Sequence, residues 1–153
     1  MKKIIVVLLL ITVSLWGAAY KVGQSVPPLE LKDQFGTKHI LKAMPHTLLM
    51  AFEKGTGTTA NEYLSAQDKG YLNAHNAVFV ADISGMPGFI TKAFAIPKMQ
   101  KYPHIVLLID DEELGLKFPG KDEKITVIKF KGNVVESIDY VGTADELKKA
   151  IEQ

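Results

Sequence analysis

The residues best placed to do chemistry are Gly55-Thr56-Gly57-Thr58-Thr59-Ala60, a GxGxxA run that follows the apolar stretch Thr47 to Phe52 and precedes a helical pattern. In that setting glycines let backbone N–H groups approach a pyrophosphate at a helix N-terminus. Asp82 closes the next apolar run, where an acid would meet a ribose hydroxyl. Together they describe a cofactor site for a flavin (FAD or FMN) or a nicotinamide dinucleotide (NAD), and a small oxidoreductase built on it. The spacing from Gly55 to Asp82 is 27 residues, longer than the usual 20 or so. A chain of 153 residues is also short for a cofactor domain plus a substrate domain. The favoured reading is a flexible turn, with the hydroxyls of Thr56, Thr58 and Thr59 capping a helix or cradling an anion.

Other constellations are weaker. The chain contains no cysteine, which excludes disulfides, thiolate metal sites and dithiol redox cycling. His39, His46, His75 and His104 never fall three or four apart, so no two share a helical face for a metal. Asp110-Asp111-Glu112-Glu113 lacks the alternation and central glycine of a calcium loop and reads as a solvated turn. Ser84-Gly85 has no nucleophile-elbow frame. Catalytic residues and a metal are therefore not expected. All 18 basic residues are lysine, and against 17 acids the net charge is +1. Without arginine forks or a basic excess, nucleic-acid binding has no support.

These residues need a scaffold, and the chain offers one domain's worth: 47% hydrophobic, 23% charged, with no repeat, linker or low-complexity stretch. Leu29–Leu31 and His39–Leu41 flank a polar connector and predict a hairpin. The unbroken apolar runs at 47–52, 77–81 and 105–109 predict strands buried on both faces. A helix is predicted from Thr58 to about Lys69. A second is predicted across Phe89, Ile90, Ala93, Phe94 and Ile96, ending before Pro97. Met86, Phe89, Phe94 and Met99 belong to this stretch, by default as core and otherwise as a docking face for a partner. Residues 125–130 and 134–141 predict a hairpin around Lys131-Gly132-Asn133, and Thr143 with Glu146 forms a capping box for a last helix. The order predicts a mixed sheet covered by helices on both faces.

Residues 1–19 stand apart. Lys2 and Lys3 precede an apolar run from Ile4 to Leu15, and Gly17-Ala18-Ala19 supplies small residues for cleavage, the pattern of a secretory leader. The expectation is a periplasmic or secreted protein starting at Tyr20, with residues 20–153 as its domain and no membrane attachment after cleavage. Retention of the leader as an anchor is the alternative. The remaining 16 lysines against 17 acids give −1.

In order and spacing the chain resembles the periplasmic thioredoxin-fold group that includes TlpA-like proteins, peroxiredoxins and YtfJ-like proteins. The segments that carry the resemblance are KVGQSVPPLELKDQFGTKHIL, TLLMAFEKGTGTTANEYL, YPHIVLLIDDEELGLKF and ITVIKFKGNVVESIDYVGTADELKKAI. It implies a thioredoxin-like three-layer α/β/α sandwich around a central mixed sheet. It also places Thr56 and Thr59 where the CxxC cysteines would stand, and the family's cis-proline near Lys124 and Ile125, where there is no proline. Two hydroxyls cannot replace two thiols, so the YtfJ-like proteins, exported and without the redox pair, are the better comparison. What the resemblance implies is a binding or accessory module without thiol–disulfide activity, with an unknown periplasmic protein or small ligand as partner.

Overall fold

Thr47–Ala51 forms a strand in which all five residues are buried, and the rest of the molecule is arranged around it. In the computed structural model, which describes residues 18–153, the chain runs β1 (Leu29–Asp33), β2 (Lys38–Leu41), β3 (Thr47–Ala51), α1 (Lys54–Ser65), α2 (Tyr71–Ala74) and β4 (Ala77–Asp82). There follow α3 (Gly88–Ile90), a π-helical turn (Thr91–Ala95), α4 (Ile96–Met99), β5 (Leu107–Ile109), α5 (Glu112–Gly115), β6 (Ile125–Lys131), β7 (Val134–Val141) and α6 (Ala144–Glu152). The leader expected over residues 1–19 lies outside the described residues except for Ala18 and Ala19. Among the described residues no helix is long and apolar enough to cross a membrane.

The strands make one seven-stranded sheet in the order β2-β1-β5-β4-β3-β6-β7. β3, β4 and β5 are parallel, as the helical crossovers between them require. The β1–β2 and β6–β7 hairpins join antiparallel at either side of them. Because strand side chains alternate, the sheet divides the core in two. Leu49, Phe79, Leu108 and Val127 face α1, α4 and α6, meeting Ala60, Leu64, Met99, Leu147 and Ile151. Leu48, Met50, Val80 and Ile128 face the other way, against Val26, Phe118 and, from α5, Leu114. The expected mixed sheet between two covering layers is present, the second layer made of one short helix and the segment leading into β1.

Three differences from the sequence reading bear on the site, and each has a physical reason. α1 begins at Lys54 instead of Thr58, so the supposed turn Gly55 to Thr59 is its first two turns. Glycine costs about 1 kcal/mol in a helix interior, but burial of Thr56, Ala60, Asn61 and Leu64 on one face outweighs it. The helical segment after Gly88 does not stop before Pro97. Ahead of the proline the chain widens by one residue, Ile96 N–H donating to Thr91 C=O, which accommodates a ring that would clash in a regular helix. The acidic run at 110–113 starts the short α5, with Asp111 Oδ1 accepting the Glu113 N–H at 2.9 Å.

Candidate functional site

The largest change this makes to the expected site is where the GTGTTA residues point. Thr56, Thr58 and Thr59 donate their hydroxyls backwards, to the carbonyls of Glu53 (3.0 Å), Lys54 (2.9 Å) and Gly55 (3.2 Å). Thr56 Oγ1 also accepts the Glu53 N–H at 3.4 Å. The hydroxyls therefore satisfy the helix itself. The run is also divided between two surfaces. Gly57 and Thr58 line a cleft of 590 Å³ together with Asp82. Gly55, Thr56 and Thr59 line a smaller depression of 300 Å³ bounded by Glu53, Glu123 and Gly142. Of the six residues singled out from sequence, three meet in one place.

That cleft is built by the parallel strands. β3 and β4 end side by side at Ala51 and Asp82, and their helices leave on the same face of the sheet, α1 on one side and the 88–99 segment on the other. Crevices at the carboxyl ends of parallel strands are where ligands bind in open α/β sheets. α1 contributes Lys54, Gly57, Thr58 and Asn61, which share one helical stripe. The facing wall is Met86, Ile90, Phe94, Ala95, Lys98 and Met99. Phe94 is 67% exposed and Phe89 beside it 72%, so this segment leaves much of its aromatic surface outside the core. With no side chain at Gly57, the α1 wall is hollow at mid-height; among the described residues nothing beyond its own helix lies within 4 Å of where its Cβ would stand.

Asp82 closes the upper end. Its Oδ1 accepts the Ser84 N–H at 2.9 Å, which starts the turn into Gly85. Its other oxygen lies against Gly115 of α5, at the position a Cβ would need. The carboxylate is thus held by the backbone and by close packing.

The lower end contains a pair that sequence reasoning missed. His104 Nε2 donates to Asn61 Oδ1 at 2.8 Å, and the His104 ring stacks on Tyr102 with centroids 5.3 Å apart. Both His104 and Asn61 are 6% exposed. Burial holds the imidazole neutral, its pKa pushed down to about 4. With Nε2 as the donor, the atom left without a partner is Nδ1, a bare lone pair, which costs less than an orphaned N–H. Asn61 and Tyr102 both line the cleft. Burial, with the Glu62 charge nearby, raises the Tyr102 hydroxyl above its usual pKa. No signal in the sequence joins residues 43 apart; only the apolar periodicity of α1, which makes Asn61 an intruder on a buried face, points at it.

The other histidines are dispersed. His39 Nε2 contacts Asp33 Oδ2 at 2.7 Å in the β1–β2 hairpin, and His75 Nδ1 contacts the Tyr71 carbonyl at 2.8 Å. Among the described residues no three His, Asp or Glu side chains converge as a metal site would require. Gln34, 1% exposed, is a structural tie: it donates to the His104 carbonyl at 2.8 Å and accepts the Val106 N–H at 2.9 Å, fixing the first hairpin against the segment after α4.

No family model matches the chain, and no curated protein matches it. Solved structures do. A putative thiol:disulfide interchange protein DsbE from Chlorobium tepidum superposes with a TM-score of 0.58 at 14% identity, covering 88% of this chain and 97% of that one. Peroxidoxin BcpB from Mycobacterium tuberculosis gives 0.55 at 17% identity, over 86% and 94%. StoA from Bacillus subtilis gives 0.52 at 15% identity, over 83% and 98%. At these identities the likeness concerns the fold, and with the topology above it establishes a thioredoxin-like α/β sandwich around a mixed sheet, in a chain that contains no cysteine.

Proposed function

We propose that the protein is an exported, cysteine-free thioredoxin-like module that acts by binding, periplasmic or secreted, and that its binding surface is the cleft between α1 and the 88–99 segment. The observation that carries this reading is the cleft itself. It is concave, apolar on its walls, and of a size that suits a small ligand. Among the described residues no nucleophile paired to a base stands in it: its hydroxyls are Thr58, donated to Lys54 C=O, and Tyr102, and its carboxylates Glu53 and Asp82 accept backbone N–H groups. Export is read from Lys2, Lys3 and the apolar run after them, and the likeness to YtfJ-like proteins rests on the same thiol-free plan.

The oxidoreductase alternative keeps one observation in its favour, that Gly57, Thr58 and Asp82 line the same cleft. One experiment judges both. Protein taken from the extracytoplasmic fraction of its native host is denatured, and the released small molecules are identified by mass spectrometry and absorbance, beside a Gly57→Leu variant whose cleft is filled. The binding reading expects a stoichiometric molecule in the wild type that is absent from the variant. A released FAD, FMN or NAD would establish the oxidoreductase instead. Recovery of nothing from either protein would count against small-ligand binding.

A further inference from the structure

The cleft's own hydrogen-bonding state points to the chemistry of its ligand. Its two acids are provided for: Asp82 Oδ1 by the Ser84 N–H, and Glu53 Oε1 by the Glu123 N–H at 3.0 Å. Its donors are not. Asn61 uses Oδ1 on His104 and, among the described residues, its Nδ2 has no partner, although the side chain is almost wholly buried and lines the cleft. Lys98 stands on the facing wall, exposed, with no carboxylate within ion-pairing distance among the described residues. The fully enclosed side-chain atoms that lack a partner among the described residues are Ser65 Oγ and His104 Nδ1, so Asn61 Nδ2 opens onto the cleft, where water or a ligand can accept from it. What the amide takes from a ligand is an acceptor, and with an unpaired ammonium on the facing wall the acceptor that gains most is an anionic oxygen.

Above these donors the walls are apolar: Met86, Ile90 and Phe94 on one side, the hollow at Gly57 on the other. From Lys54 to Asn61 the cleft follows seven residues of α1, a rise of about 10 Å. We propose that the cleft binds a monocarboxylate with an apolar body, its carboxylate accepting from Asn61 Nδ2 and paired with Lys98, its chain lying along Gly57 between α1 and Phe94. This inference rests on the binding reading above and narrows it to one ligand class.

The test uses three probes with the same eight-carbon body, octanoate, octan-1-ol and octylamine, titrated calorimetrically into the purified domain. Octanoate is expected to saturate at one site, octan-1-ol to bind at least tenfold more weakly, and octylamine more weakly still. Lys98→Met should bring octanoate down to the level of the alcohol while leaving the alcohol unchanged. Gly57→Leu should abolish both without lowering the melting temperature, and Phe94→Ala, at an exposed position that folding does not need, should weaken both if the leucine variant fails to fold. Equal affinity for all three probes, or tightest binding of the amine, would overturn the carboxylate assignment and leave the cleft as a binding site of other specificity. Octanoate binding that survives Gly57→Leu and Phe94→Ala would place the site elsewhere. An absence of saturable octanoate binding would overturn the inference, and the native-ligand experiment then judges the broader reading independently.

Discussion

α1 and α6 lie on the same face of the sheet, and each opens with a threonine and a glutamate three residues apart, yet they are built to opposite ends. In α6 the N-cap is Thr143, whose Oγ1 accepts the Glu146 N–H at 3.2 Å, while Glu146 Oε2 accepts from Gly142 at 2.6 Å and Thr143 at 3.2 Å. Those backbone N–H groups hold the Glu146 carboxyl below its usual pKa. In α1 the order is reversed: Glu53 precedes the helix and Thr56 takes the third position. α6 then buries Leu147 and Ile151, half-buries Ala150 and leaves the rest to solvent. α1 buries one face and turns a second stripe, with a glycine and an amide N–H that no other described group accepts, onto an open cleft. One helix closes the core; the other closes it and keeps a surface free.

Truncating the closing helix should cost the most. Leu147 is fully buried among α1, β6 and its own helix neighbours, so Leu147→Ala should destabilise the domain by about 2–5 kcal/mol in chemical denaturation. A loss below about 1 kcal/mol would mean that α6 is not the clamp its packing implies.

The lower end of the cleft should respond to acid. His104→Leu removes the donor to Asn61 Oδ1 and should cost about 1–3 kcal/mol at pH 7. The wild type should also lose stability as pH falls. Above pH 6.5 neither folded nor unfolded chain holds a proton on His104, and its full contribution is present. Between 6.5 and about 4 the unfolded chain takes up the proton and the folded one does not, so unfolding is favoured; below about 4 both are protonated and this slope ends. Carboxylates held low by hydrogen bonds, such as Asp33 and Glu146, weaken at the lower end of that range too. The distinguishing window is therefore about pH 5 to 6.5, where melting temperatures of the wild type should fall and those of His104→Leu should stay level.

The two caps offer a direct comparison. Thr143→Ala removes an N-cap acceptor and should cost about 1 kcal/mol. Thr56→Val keeps the buried shape of Thr56 but removes the hydroxyl that both accepts from and donates to Glu53; a similar loss is expected, with helix content reduced at the N-terminus of α1. If Thr56→Val leaves stability unchanged, the reversed box is not what starts α1.

The contrast between the helices also marks what a sequence can reveal. The α6 box is legible because threonine and glutamate stand in their usual order ahead of an apolar stripe. The buried strands at Leu48, Phe79 and Leu107 are legible because nothing polar interrupts them, and the Gly132 hairpin because its glycine, at φ 62°, sits between two β-rich arms. The start of α1 is not legible, because two glycines and three threonines have weak local preference for helix, and the burial that decides the matter is a property of the assembled sheet. The π turn before Pro97 is hidden for the same reason. At the site, Gly57, Thr58 and Asp82 come from a local pattern, whereas Asn61, Tyr102 and His104 are joined by tertiary packing that no spacing encodes.

The smallest expected effect is the most discriminating. Gly57 lies in α1 with ordinary helical backbone, and among the described residues nothing beyond its own helix stands within 4 Å of the place an added methyl would take. If the cleft had no use, alanine there would be better in every respect: it restricts the unfolded chain, suits the helix and meets no neighbour, so Gly57→Ala should stabilise the ligand-free domain by about 0.5–1 kcal/mol. The same methyl stands in the hollow of the α1 wall. A bound apolar chain would lose room there, so the variant should melt higher alone and gain less from octanoate than the wild type does. A turn that needed a left-handed glycine would give the opposite result, a loss of stability, and would contradict the helical start of α1. A gain in stability with no change in ligand-induced stabilisation would leave the glycine without a binding role and break the contrast between a helix that only closes the core and one that also keeps a surface open.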